Sequence, residues 1–385
     1  MRLRFRKKRQ YASKSLNKVV WNHIFHDKMG FSSIIFICIV VLCSIFGSLI
    51  TPDTSPYANR QILEISLQKP GTKIMMLKTP REIEIQEVSF VEQALFGRPE
   101  KFNYTPITSY KFRGDSVDVV LFKGDSLCNT ATFEISKLLI GKGLSSQSTS
   151  NIERFKEENI EKTTYWLGTD RYGRDVLSQL ILGSRVSISV GLISVLIAII
   201  IGVLLGAIAG YYRGWVDELI VWFINVVWSI PSLLLVIAIS FALGKGFWQV
   251  FIAIGLTMWV DVARVVRGQV MSLREKEFVE AGKALGYSNF RIIFKHILPN
   301  VTGTVSVIAA SNFASAILIE SGLSFLGLGV QPPVPSWGTM IKENYGYIIL
   351  DYAYLAIIPG AAIMLLVLAF MLIGNSLRDA LDVKN

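Results

Sequence analysis

The chain has 385 residues, 51% of them hydrophobic and 18% charged, with 8 tryptophans and a mean hydropathy of +0.46. That is too apolar for one soluble domain and long enough for several membrane spans. The net charge of +10 does not mark a nucleic-acid binder, because much of it comes from Arg2, Arg4, Arg6, Lys7, Lys8, Arg9, Lys14, Lys18 and Lys28, clustered ahead of an apolar stretch. Such clustering is a topology signal. Cys38, Cys43 and Cys128 have neither metal-ligand nor redox spacing, His23, His26 and His296 make no metal site by spacing, and no disulfide framework is indicated.

Residues 1–29 form a basic tail. No charge occurs from Phe31 to Ile50, a run that at ~1.5 Å per residue covers a ~30 Å hydrocarbon core. A cleaved signal peptide is the competing reading, but the run is longer than a signal core and no A-x-A site follows, so a retained first span over 30–50 is expected. Residues 51–163 change character, with scattered charges and period-two alternations in EIEIQEV from Glu82 and VDVVLF from Val117. They predict a compact α+β insertion. A helix is expected from Asn151 to Lys162, with Arg154 and Glu158 as an i,i+4 pair. Acidic and basic residues balance from Asp53 to Asp175, whereas the tail and the Arg264–Lys295 stretch are basic. The positive-inside bias therefore places both termini and the basic stretch in the cytoplasm and the insertion outside.

LGTDRYGRDVLSQLILGSR, from Leu167, is a glycine-punctuated lead-in to the membrane. Its glycines are no phosphate loop, since no G-x-x-x-x-G-K-[ST] occurs in the chain. Further uncharged runs extend from Val186 to Tyr212, Leu219 to Gly244, Gly246 to Val260, Ile297 to Ile319 and Tyr352 to Leu377, giving six expected spans with the first. Pro231 should kink the third. The short fourth extends through Asp261 if that carboxylate pairs with Arg264. Ser321 to Ile341 is also uncharged, but Pro332, Pro333 and Pro335 exclude a regular helix and make it an external or re-entrant loop. Gly202, Gly206, Ala207 and Gly210 fit close helix packing as well as a pore lining.

Between the fourth and fifth spans lies REKEFVEAGKALGYSNFRIIFKHILPN, residues 274–300. It reads as two short helices joined at Gly286 and ending at Pro299, within a polar loop over 273–299. Glu280, Ala281, Gly282, Gly286, Leu298 and Pro299 resemble the "EAA" loop of ABC-importer permeases, with Gly282 in place of the second Ala and His296 where Ile is usual. LGTDRYGRDVLSQLILGSRVSISVGL from Leu167, ESGLSFLGLGVQPPVPSWGTMI from Glu320 and PGAAIMLLVLAFMLIGNSLRDALD from Pro359 resemble the same family in the same order. The resemblance is to inner-membrane permease subunits of binding-protein-dependent dipeptide, oligopeptide or nickel ABC importers, and HILPN resembles the peptide branch.

The resemblance implies an all-α polytopic membrane protein with six transmembrane helices, type I ABC importer permease-like. An extracytoplasmic insertion interrupts it between helices 1 and 2, and residues 164–385 form its core. It implies half of a translocation path, a homologous second permease, two cytoplasmic ATP-binding subunits that carry ATP and Mg, and an extracytoplasmic peptide-binding protein. No cofactor is expected on this chain. Glu280, Ala281, Gly282, Gly286, His296, Leu298 and Pro299 then carry ATPase coupling, with Glu280 anchoring and the small residues permitting close approach. Glu320, Asp261 and Arg264 are pathway or gate candidates, although boundary residues and ion pairs explain them as well. An intramembrane protease needs a catalytic constellation, and no G-x-S-x-G, H-E-x-x-H or paired intramembrane aspartates appear. A signalling anchor leaves six spans unexplained.

Overall fold

The structure, a computed structural model, describes residues 24–81, 89–122, 129–138 and 148–382. The tail to residue 23, the alternation from Glu82 and Cys128 lie outside the described residues. Helix α1, Lys28–Ile50, opens on Asp27, whose carboxylate accepts the N–H groups of Met29 and Gly30 at 3.1 Å each. That satisfies donors a helix start leaves free.

The chain then builds an antiparallel sheet from β1 (Thr72–Pro80), β2 (Phe102–Arg113), β3 (Ser116–Leu121), β4 (Thr130–Glu134) and β5 (Ile160–Tyr165), in the order β4-β3-β2-β1-β5. Helix α2, Phe90–Phe96, precedes β2, and α3, Ser148–Asn159, precedes β5. Strand side chains alternate in direction, and β1 is apolar on both faces. Leu77 packs with Ile107, Val119 and Phe155 of α3, while Ile74 and Met76 pack with Ile62, Ile65 and Tyr165. The helix expected to Lys162 stops at Asn159, because Ile160 pairs with Leu77 and Tyr165 with Thr72. The β-branched Ile160, Thr163 and Thr164 take the open edge of β1 in place of another helical turn, so the insertion reaches Tyr165, beyond residue 163. The Arg154–Glu158 pair forms as expected, at 3.1 Å.

After the insertion the helices of eight residues or more are α4 (Val176–Tyr212), α5 (Gly214–Trp228), α6 (Ser232–Leu243), α7 (Phe247–Arg274), α8 (Glu277–Ala284), α9 (Leu298–Leu326), α10 (Trp337–Asn344) and α11 (Tyr354–Asp382). The helices containing α1, α4, α7, α9 and α11 are long and apolar enough to cross a membrane, and α5 with α6 qualifies as a pair bent by 92°. Pro231 thus ends one helix and starts another, since it lacks the N–H that a continuous ladder needs. The short fourth run grows into the whole of α7 without the expected Asp261–Arg264 pair. Arg264 instead lies 3.9 Å over the Trp228 ring, and Arg267 forms the ion pair, with Asp217 at 2.5 and 2.7 Å. Arg185 makes no ion pair among the described residues; it donates to the carbonyls of Ser44 at 2.6 Å and Ala94 at 2.8 Å, joining α4 to α1 and α2.

Glycines set the closest approach. A Cβ on Gly202 would lie 2.5 Å from Val262 Cβ, on Gly206 2.5 Å from the Ala263 carbonyl oxygen, and on Gly210 2.6 Å from that of Arg267. These numbers rise together, so α4 and α7 run parallel, and residues 213–246 carry the chain back from the end of α4 to the start of α7. Gly303 faces Leu381 and Gly374 faces Ala310, so α9 and α11 are antiparallel; Gly30 meets Ser376 while Gly47 meets Leu182. The starts of α1 and α9 and the ends of α4, α7 and α11 therefore share one end of the bundle. The insertion attaches at the other.

At that far end, Asp170 accepts the N–H groups of Tyr172 and Arg174 at 2.9 Å, and Arg174 pairs with Asp170 and with Glu343 of α10. Asp175 caps α4 through Ser178 N–H at 2.9 Å, and burial pushes its carboxyl above the usual range. The proline run stays here too. Its first residues extend α9 to a left-handed cap at Gly327, and Trp337 Nε1 beyond it donates to the Leu180 carbonyl at 2.8 Å.

Gly206→Ala should destabilise the purified protein by about 1–3 kcal/mol through overpacking. Gly322→Ala, in α9 with nothing within 4 Å of its added methyl, should stabilise it by about 0.5–1 kcal/mol. Thermal unfolding in detergent reads both.

Candidate functional site

Between α7 and α9 the chain leaves the bundle as a polar hairpin. Helix α8 buries Val279 and Gly282 and turns Glu280 and Ala281 outward, as helical i,i+3 spacing dictates. It ends at Gly286, where φ is +77°. There the Gly286 N–H bonds to the Lys283 carbonyl at 2.9 Å and the Tyr287 N–H to that of Gly282 at 3.0 Å. This is a left-handed helix ending that suits glycine. Gly282 therefore packs against its own chain, beside Tyr287 and Ile292, and of the two small residues expected to permit close approach only Ala281 is exposed.

The second arm is not a separate short helix. Asn289–Arg291, the π-helical Ile292–Ile297 and α9 form one continuous element, Asn289–Leu326. The π-helical widening falls directly before Pro299, where an α-helical turn would press the proline ring on the Lys295 carbonyl. Leu298 joins the bundle core, while Pro299 is exposed. A push on the hairpin thus acts on a rod that runs through the bundle.

Aromatic contacts brace the hairpin. Tyr211, at the end of α4, donates its hydroxyl to Asn289 Oδ1 at 2.8 Å. His296 stacks on Tyr287 with centroids 5.6 Å apart and planes 12° apart, and the Arg291 guanidinium lies 4.0 Å from the same ring. His296 is thus an internal strut, its carbonyl accepting from Asn300 Nδ2 at 2.6 Å. Arg213 bonds Glu275 at 2.6 Å and holds that exposed carboxyl below its usual range.

Phe278, Leu285, Phe290 and Phe294 are residues the motif does not include. Leu285 is 70% exposed and Phe290 69%, and the Phe290 and Phe294 rings meet with centroids 4.3 Å apart and planes tilted by 32°. The outer face of a charged hairpin is therefore apolar, as a protein-binding surface is. The signal was present in the i,i+4 phenylalanines, but the motif drew attention to the small residues beside them.

The pathway candidates do not gather at one place. Glu320 is fully buried in α9 toward the insertion end and accepts the Ser324 hydroxyl at 2.6 Å. Asp261 is exposed midway along α7, and Arg264 lies one turn on, engaged with Trp228.

Residues 202–384 match the family described as "Binding-protein-dependent transport system inner membrane component". The glutathione transport system permease protein GsiD of Pectobacterium atrosepticum is 39% identical over 222 residues, 58% of this chain and 73% of that protein. The dipeptide transport system permease protein DppC of Alkalihalophilus pseudofirmus is 45% identical over 220 residues, 57% of this chain and 72% of that one. An inward-facing structure of the MetNI methionine ABC transporter covers 54% of this chain and 98% of its own with a TM-score of 0.45 at 16% identity, too distant to add structural detail.

In Gly282→Ala the new methyl would sit 3.5 Å from Tyr287 Cδ2 and 3.8 Å from Ile292 Cγ1, ordinary contacts. The substitution should stabilise the hairpin by about 0.5–1 kcal/mol. Gly286→Ala, forced to a left-handed conformation, should cost about 1–2 kcal/mol. Hydrogen exchange over residues 277–297 should slow in the first and quicken in the second.

Proposed function

The chain belongs to the binding-protein-dependent transport system inner membrane components, and from that premise we propose that it is one permease subunit of an ATP-driven, type I importer of dipeptides or oligopeptides. The cargo reading is supported by relatives named for glutathione and dipeptide transport. Both are short peptides, which favours this branch over nickel.

The observation that carries the reading is the hairpin: an apolar outer face with Glu280 and Ala281 beside it, braced on α4 and continuous with α9. Two cytoplasmic ATP-binding subunits dock on this face and hold the ATP and Mg, and their closure moves the hairpin and α9 as a rigid body. The bent α5–α6 pair is the sixth crossing, a reading supported by the parallel run of α4 and α7. Arg267, Arg274, Lys283 and Arg291 lie toward the hairpin end, and the positive-inside bias puts that end, with both termini, in the cytoplasm. The insertion then stands outside as a platform for the peptide-binding protein, and a homologous second permease completes the path.

Gly286→Pro tests the coupling, because proline can supply neither the φ of +77° nor the N–H bonded to Lys283. Peptide uptake should fall by about tenfold or more in transporters that assemble normally. In an otherwise wild-type chain, a crosslinker on Ala281→Cys should capture an ATP-binding subunit. Normal uptake by Gly286→Pro, or capture only from outside the cell, overturns the reading.

A further inference from the structure

Most of α7 is buried against the rest of the bundle, yet from its midpoint to its hairpin end one stripe is open. Asp261, Val265, Gly268 and Ser272, at i, i+4, i+7 and i+11, are all exposed, with Gln269 beside them. Toward the insertion end the exposed positions are Trp248 and Ile252, as suits lipid or an apolar interface. Only the inner half is polar. Helix α9 behaves likewise over the same depth, exposing Thr302, Ser306 and Ser311. Thr302 and Ser306 satisfy themselves on the Pro299 and Thr302 carbonyls of α9, whereas Asp261 and Gln269 call for water or a polar ligand and not acyl chains.

Asp261 stands at the head of this strip, roughly 20 Å from either end of α7 at ~1.5 Å per residue. A carboxylate at such depth calls for a cation. The nearest arginines along the helix are committed elsewhere, Arg264 over Trp228 and Arg267 in its paired bonds to Asp217. Beside them the chain breaks at Ser229–Pro231, where α5 ends and α6 departs at 92°. This helix end, exposed on the same side as Arg264, presents carbonyl oxygens and the negative end of its dipole, a second attraction for positive charge.

We propose that Asp261 lines the translocation path and receives the protonated amino terminus of the passing peptide. The inference rests on the permease reading above and adds the atom of the cargo that the path recognises. The contact is a charge-assisted hydrogen bond from the ammonium group to the carboxylate. It is reached after the peptide leaves its binding protein, so it governs the maximal rate of uptake more than the external concentration needed for half-saturation.

The test is uptake of a radiolabelled dipeptide by cells carrying the full transporter. Asp261→Asn should lower the maximal rate by about tenfold, the scale of one lost hydrogen bond to a charged group, at unchanged half-saturation. Asp261→Glu should keep most of the rate. With Cys38, Cys43 and Cys128 replaced by serine, Asp261→Cys should be reached by water-soluble thiosulfonates in the assembled transporter. An anionic sulfonate adduct should restore uptake and a cationic one should not. Wild-type rates in Asp261→Asn, or a thiol closed to water-soluble reagents because the second permease covers it, would each overturn the proposal. Absence of dipeptide uptake by the wild type would instead defeat the permease reading.

Discussion

The contact between α4 and α7 is the constraint on which the other relations hang. Three glycines one turn apart let two backbones meet where any larger side chain would collide with a carbonyl or a valine. In a membrane, where apolar burial gives no preference for protein over lipid, such close packing is a main source of association. Because the two helices are parallel, their shared register sets the level of Tyr211 against Asn289, and so the seat of the hairpin. It also obliges the intervening segment to turn back across the bundle, which a single straight helix does not achieve here: the return is split at Pro231.

The hairpin combines two mechanical properties that are usually separate. Its first arm is short, tied down by stacking and by a left-handed turn, whereas its second is the beginning of a long rod. Force applied at the exposed phenylalanines passes into α9 without crossing a flexible joint. The rod ends at the buried Glu320–Ser324 bond and, past Gly327, at the segment whose Trp337 is bonded to α4. Movement at one face of the bundle is thereby linked to packing at the opposite face through contiguous covalent and hydrogen-bonded structure.

Much of this was legible in the sequence. Uncharged runs located the long helices, and the prolines at 332, 333 and 335 correctly denied a span to the run that holds them. Alternation in VDVVLF marked β3, and the glycine at 286 marked the turn. What escaped depended on partners distant in the chain. Ile160–Tyr165 carries a charged, helix-tolerant pattern, and only the open edge of β1 makes it a strand. Arg264 was matched to Asp261 on spacing alone, whereas Trp228, far off in sequence, is its real neighbour. The stacking of His296 on Tyr287 was hidden because such a contact leaves no trace in local periodicity. The continuity through Pro299 was hidden because a proline ordinarily signals a boundary, and a π-helical turn is not readable from residue types.

The first and last strands of the insertion lie side by side, Thr72 opposite Tyr165. Entry and exit of the whole α+β unit are therefore a single strand pair wide, and the rest of the sheet grows outward from that doorway. The strands β2, β3 and β4 beyond it can be lengthened or trimmed at little entropic cost, since the loop is closed at the doorway itself, whereas α2 is held to the helices beneath by Arg185. The sheet and the helical bundle thus meet over a narrow neck, and most of the sheet's side chains answer only to one another.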